Sequence, residues 1–199
     1  TPTDTGYILV SSGSDHSCAL DTSGVVTCWG NDSTGQISDA PSGTGHVDLS
    51  AGADHNCVVD SGGAIECWGN DSQNQITNVP TDTDYSAVRA GWQHNCAMTT
   101  AGGIECWGLD EDDGWAYGQV TDTPTASGYT VLSAGYLTNC ALDAAGEIAC
   151  WGADENDRSY GSYDHGGSLE DLLAGGGLVC VIDIESTDDD ADSISYTFE

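Results

Sequence analysis

Histidine, cysteine and tryptophan recur along this chain at fixed spacing, and these side chains can bind metal ions or form disulfides. The recurring motif is Gly-x-x-His-x-Cys-x-x-Asp-x-x-Gly-x-x-x-Cys-Trp-Gly, and its clearest copy runs from Gly52 to Gly69. Similar copies begin at Gly13, Gly91 and Gly135, and a degraded copy begins at Gly175. Self-similarity at a fixed period predicts a repeat architecture of about five units.

Eight of the nine cysteines form pairs whose members lie ten positions apart. If Cys18 faces Cys28 on a hairpin, then Asp21 faces Val25, and Gly24 ends a three-residue loop in the left-handed conformation. Directly opposed residues of antiparallel strands are close enough for a disulfide. Such bonds form in oxidising compartments outside the cytoplasm. We therefore predict four disulfides: Cys18–Cys28, Cys57–Cys67, Cys96–Cys106 and Cys140–Cys150.

Structural zinc is the alternative for these cysteines. Their spacing is not that of a zinc knuckle, and a histidine two residues before the first cysteine occurs in only three copies, as His16, His55 and His94. We expect these histidines to be structural and bonded to a neighbouring backbone, with a ligand role as the alternative. In the last copy Thr197 replaces the second cysteine, so Cys180 is expected to be a free, buried thiol.

Short strands and glycine-rich turns fill each unit. In the first copy we predict strands over residues 7–11, 17–21 and 25–29, and a short fourth strand near Ile37. Three or four strands per roughly 40 residues are typical of a propeller blade. The sequence thus predicts an all-β propeller in a single domain over residues 1–199, each blade being a small antiparallel sheet with a cross-strand disulfide. The repeats are placed at about 7–45, 46–84, 85–128, 129–167 and 168–199.

The charge balance is extreme, with 33 acidic residues against two arginines and a net charge of −31. The acidic residues are spread over every repeat, which indicates a folded protein with an acidic surface. Such a surface repels itself, but at about 1 M salt the Debye length falls to about 3 Å. We therefore expect a halophilic source, with divalent-cation binding as the alternative. Nucleic acid and anionic membranes would be repelled, and no direct membrane insertion is expected.

The extended motif reads Ala-Gly-x-x-His-x-Cys-Ala-Leu-Asp-x-x-Gly-x-Val-x-Cys-Trp-Gly-Asn-Asp-x-x-Gly-Gln-Ile. It resembles the regulator-of-chromosome-condensation repeat, in particular the secreted bacterial and archaeal versions that carry a cysteine pair. The resemblance covers nearly the whole chain and implies a β-propeller, although family members are typically seven-bladed with longer repeats. They include a nucleotide exchange factor for a small GTPase, a light receptor and β-lactamase inhibitors. What they share is protein binding through the propeller faces.

Aromatic residues outside the repeat consensus are the candidates for a contact surface. These are Trp92, Trp115 and Tyr117. The consensus tryptophans are expected instead to pack between blades, with sugar stacking as the alternative; they are Trp29, Trp68, Trp107 and Trp151.

Two acidic loops resemble halves of an oxygen-rich calcium loop. The first carries Asp110, Asp112 and Asp113, and the second carries Asp154, Asn156 and Asp157. Neither has the full spacing with a distal glutamate, so we expect solvated acidic loops and no cofactor, with calcium binding as the alternative. Asn31 and Asn70 each begin a glycosylation sequon on a predicted exposed turn, which makes them candidate glycan sites.

The residue types present argue against an enzyme. Two arginines are too few for the carboxylate-binding cluster of a sialidase, and no nucleophile elbow or phosphate loop occurs. We predict no catalytic residues, and a non-enzymatic extracellular or cell-surface module for protein interaction or self-assembly, as in a cell-surface, filament or virion component. A carbohydrate-binding propeller that takes a surface glycan is the alternative. The start at Thr1 suggests a processed chain or one domain of a longer protein.

Overall fold

Short antiparallel strands make up the part of the protein that the structure describes. The structure is a computed structural model that describes residues 5–112, 115–153, 172–174 and 177–179. The strands, in chain order, are β1 (Tyr7–Ser12), β2 (His16–Asp21), β3 (Val26–Gly30), β4 (His46–Ala51), β5 (His55–Asp60), β6 (Ile65–Gly69), β7 (Tyr85–Ala90), β8 (His94–Thr99), β9 (Ile104–Gly108), β10 (Glu111–Asp112), β11 (Trp115–Ala116), β12 (Tyr129–Ala134), β13 (Thr138–Asp143), β14 (Ile148–Gly152), β15 (Leu172–Ala174) and β16 (Gly177–Val179).

Four three-stranded sheets repeat one topology, with the order β1-β2-β3, β4-β5-β6, β7-β8-β9 and β12-β13-β14. Two two-stranded pairs, β10–β11 and β15–β16, complete the described strands. The predicted all-β propeller is confirmed. The structure describes four complete blades rather than five. In the fifth repeat it describes the pair β15–β16, of which β15 contacts β12 of the fourth blade.

The hairpin register predicted from cysteine spacing is confirmed. Cys18 lies opposite Cys28, and the Asp21 amide donates to the Val25 carbonyl at 3.1 Å. The Asp21 carboxylate also accepts hydrogen bonds from the turn amides. Gly24 has φ +75°, and a Cβ there would lie 2.4 Å from the Gly45 backbone, so only glycine fits. All four predicted disulfides are present, and each joins the second and third strands of its own sheet.

The predicted fourth strand near Ile37 is wrong. Residues 33–39 form turns instead. The Asp32 carboxylate accepts hydrogen bonds from the backbone amides of Ile37 and Ser38 at 2.8 and 2.9 Å, which closes the segment into a loop. Because those amides are already bonded to a side chain, they cannot join a sheet ladder.

The sheets pack face to face, and the hydrophobic core lies between them. Successive first strands, β1, β4, β7 and β12, are neighbours around the inside of the array. Between the first two sheets, Leu20 and Val26 pack against Leu49, Val58 and Trp68. The other two interfaces repeat this packing with Trp107 and Trp151. These three tryptophans are buried between sheets, whereas Trp29 of the first sheet is only half-buried.

Candidate functional site

A histidine in each of the first three sheets bonds to an asparagine in the next sheet. Nε2 lies 2.8 Å from Oδ1 in His16–Asn56, 2.9 Å in His55–Asn95 and 2.8 Å in His94–Asn139. The predicted structural role fits these contacts, but the predicted backbone partner is wrong. Each ring instead reaches the next sheet, where an asparagine side chain presents its Oδ1.

The asparagine of each pair is itself held by the previous blade. The Nδ2 of Asn95 donates to the Gln75 carbonyl at 3.1 Å, and Trp107 Nε1 donates to the same oxygen at 2.8 Å. Since Asn95 Nδ2 is a donor, its Oδ1 must accept, and His55 Nε2 carries the proton. His55 Nδ1 is then a buried lone pair that has no hydrogen-bond partner among the described residues. This arrangement fits a neutral imidazole and an interface contact between blades.

Burial sets the titration of these rings. Desolvation is the main cause that lowers the pKa of His55 to about 4, and the hydrogen bond to Asn95 opposes it. Burial likewise lowers the pKa of His94 to about 4, against the opposing bond to Asn139. A protonated ring would bring a charge into a site with no anion in direct contact, so the fold holds both rings neutral.

The predicted calcium ligand Asp110 closes a turn. Its Oδ1 accepts hydrogen bonds from the amides of Val120 and Thr121 at 2.8 and 3.1 Å. Asp32 and Asp71 close the equivalent turns of earlier repeats in the same way. Asp112 lies on β10, and Asp113, Asp154, Asn156 and Asp157 fall outside the described residues. Within the described part of the chain, no group of three or more His, Cys, Asp or Glu side chains is placed to hold a metal ion. Calcium binding stays a prediction.

The predicted glycan sites occupy equivalent turns after β3 and β6. Asn31 is exposed and Asn70 is half-buried. The Oδ1 atoms of these residues accept hydrogen bonds from Ser33 and Ser72 amides at 2.7 and 2.8 Å. Their modification stays a prediction. Cys180, the predicted free thiol, lies outside the described residues.

Trp92, one of the predicted contact residues, stacks on Tyr136. The two ring centroids are 4.5 Å apart with an interplanar angle of 17°, and Tyr136 is 60% exposed. Both residues follow the glycine of the turn between the first and second strands of their sheets, where earlier copies have Ser14 and Ala53. Comparing the copies position by position would have revealed Tyr136, which sequence reasoning missed.

Small residues form the floor beside this aromatic pair. The turns between first and second strands come together around a shallow hollow of about 290 Å³. Backbone hydrogen bonds join neighbouring turns, from Ser14 to Ala53 at 3.1 Å and from Ala53 to Trp92 at 3.2 Å. The lining residues are Ser12, Gly13, Ser14, Ala51, Gly52, Ala53, Ala90, Gly91, Trp92, Ala134, Gly135 and Tyr136. We call this surface the aromatic end.

The other predicted aromatic residues lie in the loop that leaves the same end of the third sheet. The Leu109 amide donates to the Gln93 carbonyl at 2.9 Å, which places the start of this loop beside the turn of Trp92. Trp115 lies on β11, and Tyr117 is half-buried and donates its amide to the Asp110 carbonyl at 2.8 Å. The described side chains show no ring contact between Tyr117 and Trp92.

The comparisons with known proteins agree with the repeat and the fold. The model of the regulator of chromosome condensation (RCC1) repeat matches residues 7–36 and 47–75. The ectodomain of the Arabidopsis thaliana receptor kinase ACR4 is 27% identical with a TM-score of 0.60, over 72% of this chain and 49% of that one. The ectodomain of the Physcomitrella patens receptor kinase CR4 is 25% identical with a TM-score of 0.58, over 73% and 40%.

Prp20p of Saccharomyces cerevisiae, whose binding to Gsp1p and histones has been described, shares the fold. It is 16% identical with a TM-score of 0.57, over 76% of this chain and 46% of that one. This chain thus spans about half the length of these relatives or less. No curated protein matches the sequence significantly. The predicted resemblance is confirmed: two segments of the chain match the RCC1 repeat, and the chain shares its fold with RCC1 and other propeller proteins.

Its class is therefore that of an RCC1-like propeller, a fold that suggests a protein-interaction module. The four disulfides indicate an oxidising environment. Among the described residues, no helix has the length and apolar character needed to cross a membrane.

Proposed function

We propose that this chain is a non-enzymatic extracellular module that binds a protein partner through its aromatic end and works in high salt. The observation that carries this proposal is the stacked pair of Trp92 and Tyr136 at the edge of the small-residue hollow. Tryptophan and tyrosine dominate the binding energy of protein interfaces, because they bury a large area with few rotatable bonds.

The repeat alignment separates this surface from the scaffold. Turn residues at the same place in the first two blades are small, so packing of the sheets does not require an aromatic ring there. Tyr136 is 60% exposed although it is stacked on Trp92. A large exposed ring on a turn where two other blades carry small residues suits a contact surface.

Charge supports a high-salt setting. Turn residues beside the hollow include Asp15 and Asp54, and the whole chain carries a net charge of −31. At low ionic strength this field would repel most acidic partners and other copies of the chain. In molar salt the field is screened, so apolar contacts at Trp92 and Tyr136 can decide binding.

Selection from a displayed random-peptide library tests this proposal. The wild-type chain is the only target of the selection, in about 2 M salt, and the enriched peptides are then tested on the double variant Trp92→Ala/Tyr136→Ala. We expect enriched peptides that bind the wild type at least about tenfold more tightly than the double variant. Tyr7→Ala is the matched control, because Tyr7 lies at the opposite end of the first sheet.

A glycan array and light scattering cover the other outcomes. Peptides that bind the double variant equally well would contradict the assignment of the surface. Glycans that bind and require Trp92, with no peptides enriched, would replace the proposal by the carbohydrate-binding alternative. Regular polymers of the wild type that the double variant fails to form would identify a second copy as the protein partner.

A further inference from the structure

A second hollow lies where the first strands of all four blades meet. It has a volume of about 430 Å³, and seven of its eleven lining residues are apolar. The lining residues are Ile8, Leu9, Val47, Asp48, Ser86, Ala87, Arg89, Met98, Thr130, Val131 and Leu132. We call this the axial cavity. Most of its lining residues lie on the first strands of the sheets, before the positions at which these strands reach the aromatic end.

Arg89 in the wall of the axial cavity departs from its repeat. The other first strands carry serine at this position, and the hydroxyls of Ser11 and Ser50 accept backbone hydrogen bonds from the next blade at 2.9 and 3.0 Å. Arg89 is also the only Lys or Arg among the described residues. In a chain of net charge −31, its one described cation therefore faces the axis rather than the acidic surface.

Asp48 is the second departure. It accepts hydrogen bonds from the Val88 amide at 2.9 Å and from Arg89 Nη1 at 2.7 Å. Its counterparts in the first and fourth blades are Leu9 and Val131, so the sheets assemble elsewhere without this ion pair. The two side chains are 10% and 17% exposed, and the pair is therefore partly desolvated beside the cavity.

The ion pair leaves part of the guanidinium unused. Nη1 donates to Asp48 and to the Val88 carbonyl at 2.7 Å, which takes both of its N–H groups. The three N–H groups on Nε and Nη2 have no hydrogen-bond partner among the described residues. Nε and Nη2 of Arg89 are not among the buried polar atoms without a hydrogen-bond partner in the described residues. Both nitrogens are therefore accessible to solvent or to a ligand.

We propose that the axial cavity binds a carboxylate on a small apolar group, with Arg89 as the anion-binding residue. A planar carboxylate matches the fork of N–H donors that Arg89 leaves free. Apolar walls, including Ile8, Val47 and Val131, suit a short hydrocarbon body. A monoanion fits better than a phosphate, because Asp48 already neutralises part of the arginine charge. This site is separate from the aromatic end and does not depend on the function proposed for it.

Such a carboxylate has two sources, a free monocarboxylic acid or the C-terminal residue of a partner chain. The probes are 4-methylpentanoate for the first and N-acetyl-leucine for the second. N-acetyl-leucinamide has nearly the same shape without the charge and is the control ligand. A free-acid site should prefer 4-methylpentanoate, and a C-terminus site should prefer N-acetyl-leucine.

Nitrogen-15 NMR of the arginine side chains is the measurement. The chain contains only two arginines, Arg89 and Arg158, so Arg89→Ser assigns both Nε–H signals. We expect either acid to shift the Arg89 signal saturably in about 2 M salt, with little effect of the amide. Arg89→Ser restores the residue of other repeats and should weaken binding at least about tenfold, measured by isothermal titration because this variant lacks the Arg89 signal.

Two further variants distinguish a binding role from a structural one. Asp48→Asn removes the competing carboxylate and should tighten binding several-fold, whereas a purely structural pair would lose stability with no gain in affinity. Thr27→Ala on β3, outside the cavity, also removes a hydroxyl without changing charge and should leave affinity within about twofold. Equal shifts by acid and amide, no saturable shift, or unchanged affinity in folded Arg89→Ser would each overturn the proposal.

Discussion

Nε2 of His55 lies 2.9 Å from Oδ1 of Asn95, and this hydrogen bond joins the second sheet to the third. Both side chains are fully buried. The equivalent bonds of His16 and His94 join the neighbouring sheets in the same way. The series stops in the fourth sheet, where Thr138 replaces the histidine, and it has no asparagine in the first sheet, where Ser17 occupies that position.

Replacing either partner of this bond should destabilise the chain. We expect His55→Ala and Asn95→Ala each to lower the free energy of unfolding by about 2–4 kcal/mol, because each leaves a buried polar group unpaired next to a cavity. The double variant should cost less than the sum, with a coupling of about 1 kcal/mol. Denaturant unfolding in about 2 M salt measures this. Additive costs would show that the two side chains do not interact.

The same histidines should make stability depend on pH. Burial lowers the pKa of His55 from 6.5 to about 4, and that of His94 similarly. The unfolded chain therefore binds more protons between these values, so each ring contributes stability above pH 6.5 that is lost as pH falls towards 4. The contribution is about 3 kcal/mol per ring.

A comparison of variants isolates this effect from the many carboxylates. The free energy of unfolding of wild type and His55→Gln is measured from neutral pH down to about pH 4.5. We expect the wild type to lose stability more steeply on acidification, by about 2 kcal/mol over this range. Parallel curves for the two proteins would contradict the assignment of a neutral, buried His55.

Contacts between residues that are close together in the sequence could be predicted from it. Cys18 and Cys28 lie on one hairpin, so spacing and the turn glycine Gly24 define their register, and the structure confirms it. Strand bounds in the first blade agree to within about one residue. The loop near Ile37 was misjudged because an apolar residue after a turn resembles a short strand. Only the carboxylate of Asp32 shows why it is a loop.

Contacts between blades could not be predicted from the sequence. His55 and Asn95, like Asp48 and Arg89, are about 40 residues apart along the chain. Pairing them requires the register of one sheet on the next, which no hairpin rule supplies. Trp92 was found because it departs from the repeat, but the stacking of Tyr136 on it depends on the same packing of neighbouring sheets.

The cysteines give a prediction that needs no assay of function. Alkylation in denaturant without reductant, followed by intact mass measurement, should add one label, at Cys180, because the other eight cysteines are paired. Replacing Cys57 and Cys67 together by alanine should lower stability by about 3 kcal/mol through the gain in unfolded-state entropy. More than one label on the unreduced protein would contradict the assignment of four disulfides.

Salt should strongly stabilise the fold. We expect the midpoint of thermal unfolding to rise by at least about 10 °C between about 0.1 and 2 M potassium chloride, because screening relieves the repulsion of a chain with net charge −31. The same series in sucrose separates screening from general exclusion of cosolutes from the surface. A midpoint that is flat in salt would contradict adaptation to a saline environment.

The affinity of the aromatic end for a library-selected peptide tests the central claim most directly. Isothermal titration would compare wild type, Trp92→Ala, Tyr136→Ala and the control Tyr7→Ala in about 2 M salt, with unfolding midpoints confirming that each is folded. The proposal predicts a loss of at least about tenfold for each aromatic-end variant and a change within about twofold for Tyr7→Ala. Equal affinities for all four proteins would contradict the claim that Trp92 and Tyr136 form the binding surface.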